Sequence, residues 1–573
     1  MSQIKTLVEK SMSGGPVDLL IKNANVINVL SGEIHKSSVA VQDGVVIGFG
    51  ERTSINLIDA NGAYLAPGFI DGHIHLESTM LTVPEFARAV VPHGTSAVIA
   101  DPHEFANVLG IEGIRYLLAK RPGLPLDIHV MLPSCVPATD LETSGARLSS
   151  WHLDLLRDKP GVAGLAEMMN YPGVIYGDPE VHAKLALFRD SVIDGHAPGL
   201  SGRALDSYIL AGPDSDHECT TLEEAREKLR AGMHILLREG SSEKNLHDLL
   251  PLVTAVNSGC FSFCSDDRHP PFLLAEGHID HNVRLAIGSG MDPVMAIKIA
   301  TINTARHYRL QRTGAIAPGY KADFFMFDNL KDLRPNLVIK GGRIVAENGK
   351  SLFDVPDIDR SLLSGTMHAM HAGSGQIAIR AGGKRIRVIA AVPGQIVTRA
   401  LEIDATLKDG FAVADPGRDL AKLAVIERHR SSGRVGLGFV TGFGIMRGAI
   451  ASSVGHDSHN LCVLGTNDAD MAVAANHVMK MDGGQCAVLD GTVVAEVQLP
   501  IAGLVSEKPL EAVAAQVRHL EKTVHETLGC ILPDPFAVMS FLPLVPIPEL
   551  RLTDIGLIDS KAFKLTELFV KHG

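Results

Sequence analysis

Two histidines stand two residues apart at the end of an apolar run, in APGFIDGHIHLES (residues 66–78), with Asp71 just before them and Glu77 just after. On an extended strand, residues i and i+2 share a face, so His73 and His75 point the same way. Two imidazoles together in a dry interior are costly to satisfy by packing, and a divalent cation removes that cost; a hydrogen-bonded core pair is the competing reading. Further residues shift the balance. Glu167 closes GVAGLAE, His196 closes SVIDGH, His217 sits in PDSDHE and Asp266 follows FSFCS. Each stands where a short apolar run gives way to polar residues. Nitrogen and oxygen donors without thiolate suit zinc, manganese or ferrous iron. Six ligands exceed the need of one tetrahedral zinc, so two divalent ions are expected; such ions turn water into a nucleophile near neutral pH.

The elements that must carry these side chains lie in a central block, residues 64–312. Its apolar runs, in order, are GFIDGHIHLE, SAVIADPHE, DIHVMLPS, GVAGLAEMMN, SVIDGHAP, ILAGPDSDHE, MHILLREGSS and GCFSFCSDDRH. Segments of helical spacing ending in glycine, such as TVPEFARAVVPHG and TLEEAREKLRAG, fall between them. Strands alternating with helices imply a parallel sheet, and eight such units match a (β/α)8 TIM-like barrel, whose strand ends converge on one mouth. An open doubly wound sheet is the alternative; it would favour a glycine-rich phosphate loop after the first strand, and DGHIHLES is not one. Short Val- and Ile-rich strands on both flanks, residues 1–63 and 313–358, predict one small discontinuous β-sandwich domain. Residues 359–573 read as a separate α+β domain. In it, QCAVLDGTVVAEVQLP forms a hairpin turning at Asp490-Gly491, and SEKPLEAVAAQVRHLEKTVHETLG a helix with Ser506 as N-cap, Pro509 in its first turn and Gly529 at its end.

Composition sets the outer limits. The chain of 573 residues is 46% hydrophobic and 21% charged, an ordinary globular mix. A formal net charge of −12 argues against a nucleic-acid partner and for a small-molecule substrate. The seven scattered cysteines suggest neither a disulfide framework nor a thiolate site. With no signal-like leader and no membrane-length apolar run, a cytoplasmic protein without a membrane partner is expected. An apolar, Gly-rich C-terminal region favours a homo-oligomer, a dimer or larger.

PGFIDGHIHLES, followed by His196, His217 and Asp266 in barrel order, resembles the metal-dependent amidohydrolase superfamily. Many binuclear members bridge their metals with a carboxylated lysine on the fourth strand; here Glu167 occupies that place. Together with VIADPHEFANVLG, IDGHAPGLSG, SDHECTT, REGSS, FCSDDRHP and SSVGHDSHNL, this makes the chain similar to the bacterial adenine deaminase family over nearly its whole length. The resemblance implies hydrolysis of adenine to hypoxanthine and ammonia, as in purine salvage, by a metal-activated hydroxide attacking C6. Mn2+ or Fe2+ is preferred as the cofactor, and Zn2+ is compatible. It also implies that Glu167 bridges the ions, that Asp266 shuttles the proton and that His217 either orients the nucleophile or stabilises the tetrahedral centre. Glu104 and Glu239 are candidates to protonate ring nitrogen N1. Asp101 and His103 either support the site or cap a loop; Arg238, Ser241 and Ser242 either meet the purine edge or form an ordinary loop; Asp267 crowds the same exit as Asp266. SSVGHDSHNL is a turn, a subunit contact or a lid on the mouth. The rival enzyme reading is a cyclic-amide hydrolase of the hydantoinase or dihydropyrimidinase kind, and the rival of another class is a non-catalytic metal-binding scaffold.

Overall fold

The computed structural model describes residues 2–13, 15–356, 361–392 and 395–570. The domain boundary expected at 358/359 lies outside the described residues. Eight short strands follow one another in the central block: Phe69–Ile74 (β1), Thr95–Ala100 (β2), Asp127–Leu132 (β3), Val162–Met168 (β4), Val192–Gly195 (β5), Ser215–Asp216 (β6), His234–Arg238 (β7) and Phe261–Cys264 (β8). β1 to β5 form one parallel sheet in sequence order, and β6 to β8 a second. Most of these strands are buried along their whole length, which is why they read as continuous apolar runs rather than alternating ones.

The two sheets meet at both edges. Between β5 and β6, Asp214 N donates to the Ile193 carbonyl at 3.1 Å and Gly195 N to Ser215 Oγ at 3.2 Å. Between β8 and β1, Asp266 N donates to the His73 carbonyl at 2.9 Å and His75 N to the Asp266 carbonyl at 3.2 Å. The result is a curled parallel α/β sheet of TIM-barrel-like form. Helices between the strands carry the caps their sequences promise. For example, Thr221 accepts from Glu224 N at the start of Leu222–Arg230, and Thr82 from Glu85 N at the start of Val83–Val90.

The β5–β6 seam leaves no room for a side chain. A Cβ on Gly195 would stand 2.1 Å from the Ser215 carbonyl oxygen. Gly195→Ala is therefore expected to cost about 3 kcal/mol, read as a lower midpoint in urea unfolding.

The flanks pair as expected but in one layer of hydrogen bonding. Strands between Val17 and Pro67 join Phe324–Phe327, Leu337–Lys340, Arg343–Glu347 and Lys350–Ser351 in a single nine-stranded sheet. Its link is Tyr64–Pro67 running antiparallel to Phe324–Phe327. The sheet curls over its own apolar cluster, which includes Ile21, Val26, Val39, Leu65, Phe324 and Ile339. The C-terminal region holds an eight-stranded sheet with helices Asp468–Lys480 and Leu510–Leu528 against it. Its hairpin turns where expected, with positive φ at both Asp490 and Gly491. The helix Leu510–Leu528 differs from expectation at its start. Pro509 occupies the cap position, while Ser506 N donates to the Met80 carbonyl and ties this region to the loop after β1. Among the described residues no helix is long and apolar enough to cross a membrane.

Candidate metal centre and active site

The ends of the central strands bring the six expected ligands together. His73 and His75 leave β1 on one face, Nε2 to Nε2 at 3.2 Å. Glu167, on β4, lies between two histidine pairs. Its Oε1 stands 3.3 Å from His75 Nε2 and 4.0 Å from His73 Nε2. Its Oε2 stands 2.5 Å from His196 Nδ1 and 3.3 Å from His217 Nε2. Asp266, just after β8, places Oδ1 at 3.2 Å from His75 Nε2 and 3.6 Å from His73 Nε2. Its backbone sits in the left-handed region at φ 55°, a conformation an aspartate tolerates and a functional site retains.

The electrostatics suit a divalent cation. Burial pushes the Glu167 carboxyl up, but His196, His217 and His75 outweigh it and hold the group well below the usual carboxylate range. Burial acts on Asp266 the same way, and His75, Arg238 and His217 reverse it. Burial, with His217 and His75 beside it, drives His73 well below its ordinary value, leaving a neutral lone pair. Ionised carboxylates and a neutral His73 are what a metal needs from its ligands, whereas the same carboxylates raise His75, His196 and His217, whose protons a cation would have to displace.

Neighbours aim these groups. Asp71 accepts from His73 N at 3.2 Å, and from Ser265 N at 3.1 Å and Ser265 Oγ at 2.5 Å, stapling β1 to β8. The Asp101 carbonyl lies 3.1 Å from His75 Nδ1, which orients that ring. His103 is more central than the sequence indicates. Its Nδ1 lies 3.6 Å from Glu167 Oε1 and 3.2 Å from Asp101 Oδ2, so with His75 it belongs to a further group able to hold an ion.

A cavity of about 50 Å3 opens over this cluster, and Arg238, Glu243, Asp267 and His456 are among its walls. Arg238 lines it with both terminal nitrogens engaged, Nη1 with Asp266 Oδ2 at 2.7 Å and with Glu218, Nη2 with Asn245 at 3.1 Å, while its Nε is buried without a hydrogen-bond partner. Asp267 has one carboxylate oxygen, Oδ1, buried without a hydrogen-bond partner. Ser241 and Ser242 serve the loop: Ser241 Oγ accepts from His269 N at 2.7 Å, and Ser242 Oγ donates to Glu243 Oε2 at 2.8 Å. Glu104 lies in an adjoining pocket with Glu77, 3.7 Å from both His456 Nδ1 and His459 Nε2. Glu239 sits apart from the cavity walls, its carboxylate 3.8 Å from Lys244 Nζ. Sequence reasoning missed Glu218 and Glu243, although each stands near an expected strand end, in SDHECTT and REGSSE. It also left open what SSVGHDSHNL does; His456 and Asp457 of that segment enter the cavity from the same chain, Asp457 Oδ1 standing 3.6 Å from His103 Nε2.

A charged contact ties the loop after β8 to the C-terminal region. His269 Nδ1 lies 3.7 Å from Asp534 Oδ2. Burial lowers the imidazole pKa, but Asp534, with Asp267 and Glu243 behind it, raises it to about 9. A histidine raised in this way stabilises the fold fully below its unfolded value near 6.5, and the contribution is lost as pH rises through 9. Asp534→Asn is expected to remove about 1 kcal/mol of stability at pH 6 and almost none at pH 10, measured by urea unfolding across that range.

With the geometry in place, comparisons with known proteins converge. Residues 64–345 match the amidohydrolase family, and residues 395–564 the adenine deaminase C-terminal domain. The chain is 49% identical over 569 residues to the adenine deaminase of Oleidesulfovibrio alaskensis, covering 99% of both chains. It is 48% identical over 560 residues to that of Kosmotoga olearia, covering 97% of both. Identity to that of Desulfatibacillum aliphaticivorans is 48% over 556 residues, again covering 97% of both.

Proposed function

The chain belongs to the adenine deaminase family of amidohydrolases, and from that premise we infer that it hydrolyses adenine to hypoxanthine and ammonia at the strand-end cluster. The observation that carries this reading is Glu167, whose two oxygens face two different histidine pairs in a buried pocket. That placement supports two ions held by His73, His75, Glu167, His196, His217 and Asp266, with His103 as a further candidate ligand. The joined edges support reading β1 to β8 as a closed (β/α)8 barrel, flanked by a discontinuous sheet domain and followed by an α+β domain. Products of this kind would suit a role in purine salvage.

When bound, a divalent ion lowers the pKa of water and so supplies a nucleophile at neutral pH. The chain's own residues do the rest. Asp266, held ionised between the histidines and Arg238, accepts the proton released as water attacks C6 and passes it to the departing amine. Arg238, engaged by Glu218 and Asp266, fixes the direction of that carboxylate. His217 stands where it can orient the attacking water. Ring nitrogen N1 must gain a proton as C6 becomes tetrahedral. Burial raises both candidate carboxyl groups, Glu104 well above its ordinary value and Glu243 to about 7, and Glu243 is the one that lines the cavity.

Ammonia release from adenine and ring opening of hydantoin and dihydrouracil, compared on one metal-loaded preparation, test the assignment. Adenine turnover with the cyclic amides inert is expected; ring opening with adenine inert would reverse it.

A further inference from the structure

Apolar side chains of the C-terminal region form one wall of the metal cavity: Ile396, Phe541, Leu544 and Ile547. One buried side chain holds it. Arg551, fully buried, donates from Nε to the Ile547 carbonyl, from Nη1 to the Phe541 carbonyl and from Nη2 to the Ile396 carbonyl, each at 2.7 Å, and from Nη2 to the Pro548 carbonyl at 3.0 Å. Among the described residues no carboxylate pairs with it. A guanidinium buried without a counter-ion is expensive, and four carbonyl oxygens offset that cost only in one arrangement of the three segments. Three of those carbonyls belong to residues that face the metal cavity.

Beyond the wall lies a second chamber of about 250 Å3, five times the inner one. Glu243, Ile396 and Phe541 line both. We propose that the wall of Ile396, Phe541 and Ile547, held in place by Arg551, confines the site to the free base and shuts out purines substituted at N9. The inference rests on the adenine reading and deepens it. Carbon 6 must meet the strand ends, so the imidazole half of the purine, with N9, faces the opposite side, where the wall stands. A ribose on N9 would have to pass through Phe541 and Ile396. Its hydroxyl groups would also meet apolar side chains that offer no hydrogen bond. The outer chamber, in contrast, carries Ser242, Gln395 and Asp534, groups that suit a sugar once the partition is cut back. Phe541 and Ile396 are thus specificity-determining residues, and Arg551 is a positioning residue. Phe541 also stacks on His456, ring centroids 4.6 Å apart and planes within 10°, so the wall continues into the segment that enters the cavity.

The test compares kcat/KM for adenine and adenosine in metal-loaded wild type, Phe541→Ala, Ile396→Ala, Arg551→Met and Arg551→Lys, with calorimetric binding of hypoxanthine and inosine to each. Wild type is expected to favour adenine by at least about 1000-fold. Either alanine variant is expected to raise the adenosine-to-adenine ratio by at least about 10-fold and to gain inosine binding. Arg551→Met is expected to shift the ratio in the same direction, mainly through KM, with Arg551→Lys restoring part of it. Wild type accepting adenosine within 10-fold of adenine would overturn the proposal. So would alanine variants that still turn over adenine with the ratio unchanged. Failure of wild type to release ammonia from adenine while binding hypoxanthine and excluding inosine would refute the reading of the reaction and leave the wall's selectivity standing.

Discussion

Asp266→Asn is expected to lower adenine turnover by about 1000-fold while the metal content of the purified protein stays at the wild-type level. The side chain has two distinct neighbours. Oδ1 faces His73 and His75, whereas Oδ2 accepts from Arg238. An asparagine keeps the volume and an oxygen for the histidine side and forgoes only the bond from Arg238, so metal held by the five other ligands is expected to stay. It cannot take a proton, so the path from water to the leaving amine is cut. Loss of a positioned acid–base group accounts for about 100- to 10,000-fold, which sets the scale. Metal analysis and ammonia release on the same sample separate the two roles. A variant with turnover within 10-fold of wild type would remove Asp266 from the proton path; one with no metal would make it a ligand before anything else.

Glu167→Gln is expected to halve the metal content and to lower turnover by more than about 1000-fold. The carboxylate is 3% exposed and is the group shared by His73, His75, His196 and His217. Its charge would be the counter-charge for cations on both sides, and a neutral amide would offer one acceptor where two are needed. With one carboxylate gone, the remaining donors suit a single ion at most, and the buried imidazoles must instead find protons or water. Elemental analysis after extensive dialysis reads the stoichiometry directly. Two ions retained per chain with near-normal turnover would show that Glu167 does not bridge.

Much of this site is legible in the sequence because strand ends are marked by abrupt changes of residue type. His73, His75, Glu167, His196, His217 and Asp266 each close an apolar run, and the parallel sheet carries all such ends to one side. What could not be read are contacts that depend on where a loop turns after its strand. His103 and Glu104 are adjacent in sequence, yet one faces Glu167 and the other an adjoining pocket, because a helix begins at His103. Glu239 leaves β7 pointing to Lys244, while Glu243, four residues on, returns to the cavity. Ser506 has the type of a helix cap, but its backbone is drawn to Met80 and the helix starts at Leu510. Phe541 and Arg551 carry no local signal at all. Their part in the site arises from three separate segments meeting around one guanidinium, a relation of sequence-distant carbonyls that no periodicity records.

The central claim is that two divalent ions, held by the strand-end cluster, make adenine hydrolysis possible. The most direct measurement is ammonia release from adenine by protein stripped with a chelator and then titrated with Mn2+ or Fe2+, with bound metal counted at each point. Activity is expected to vanish on stripping and to return in proportion to metal up to two ions per chain. Undiminished ammonia release from metal-free protein, or full activity with a single ion bound, would contradict it.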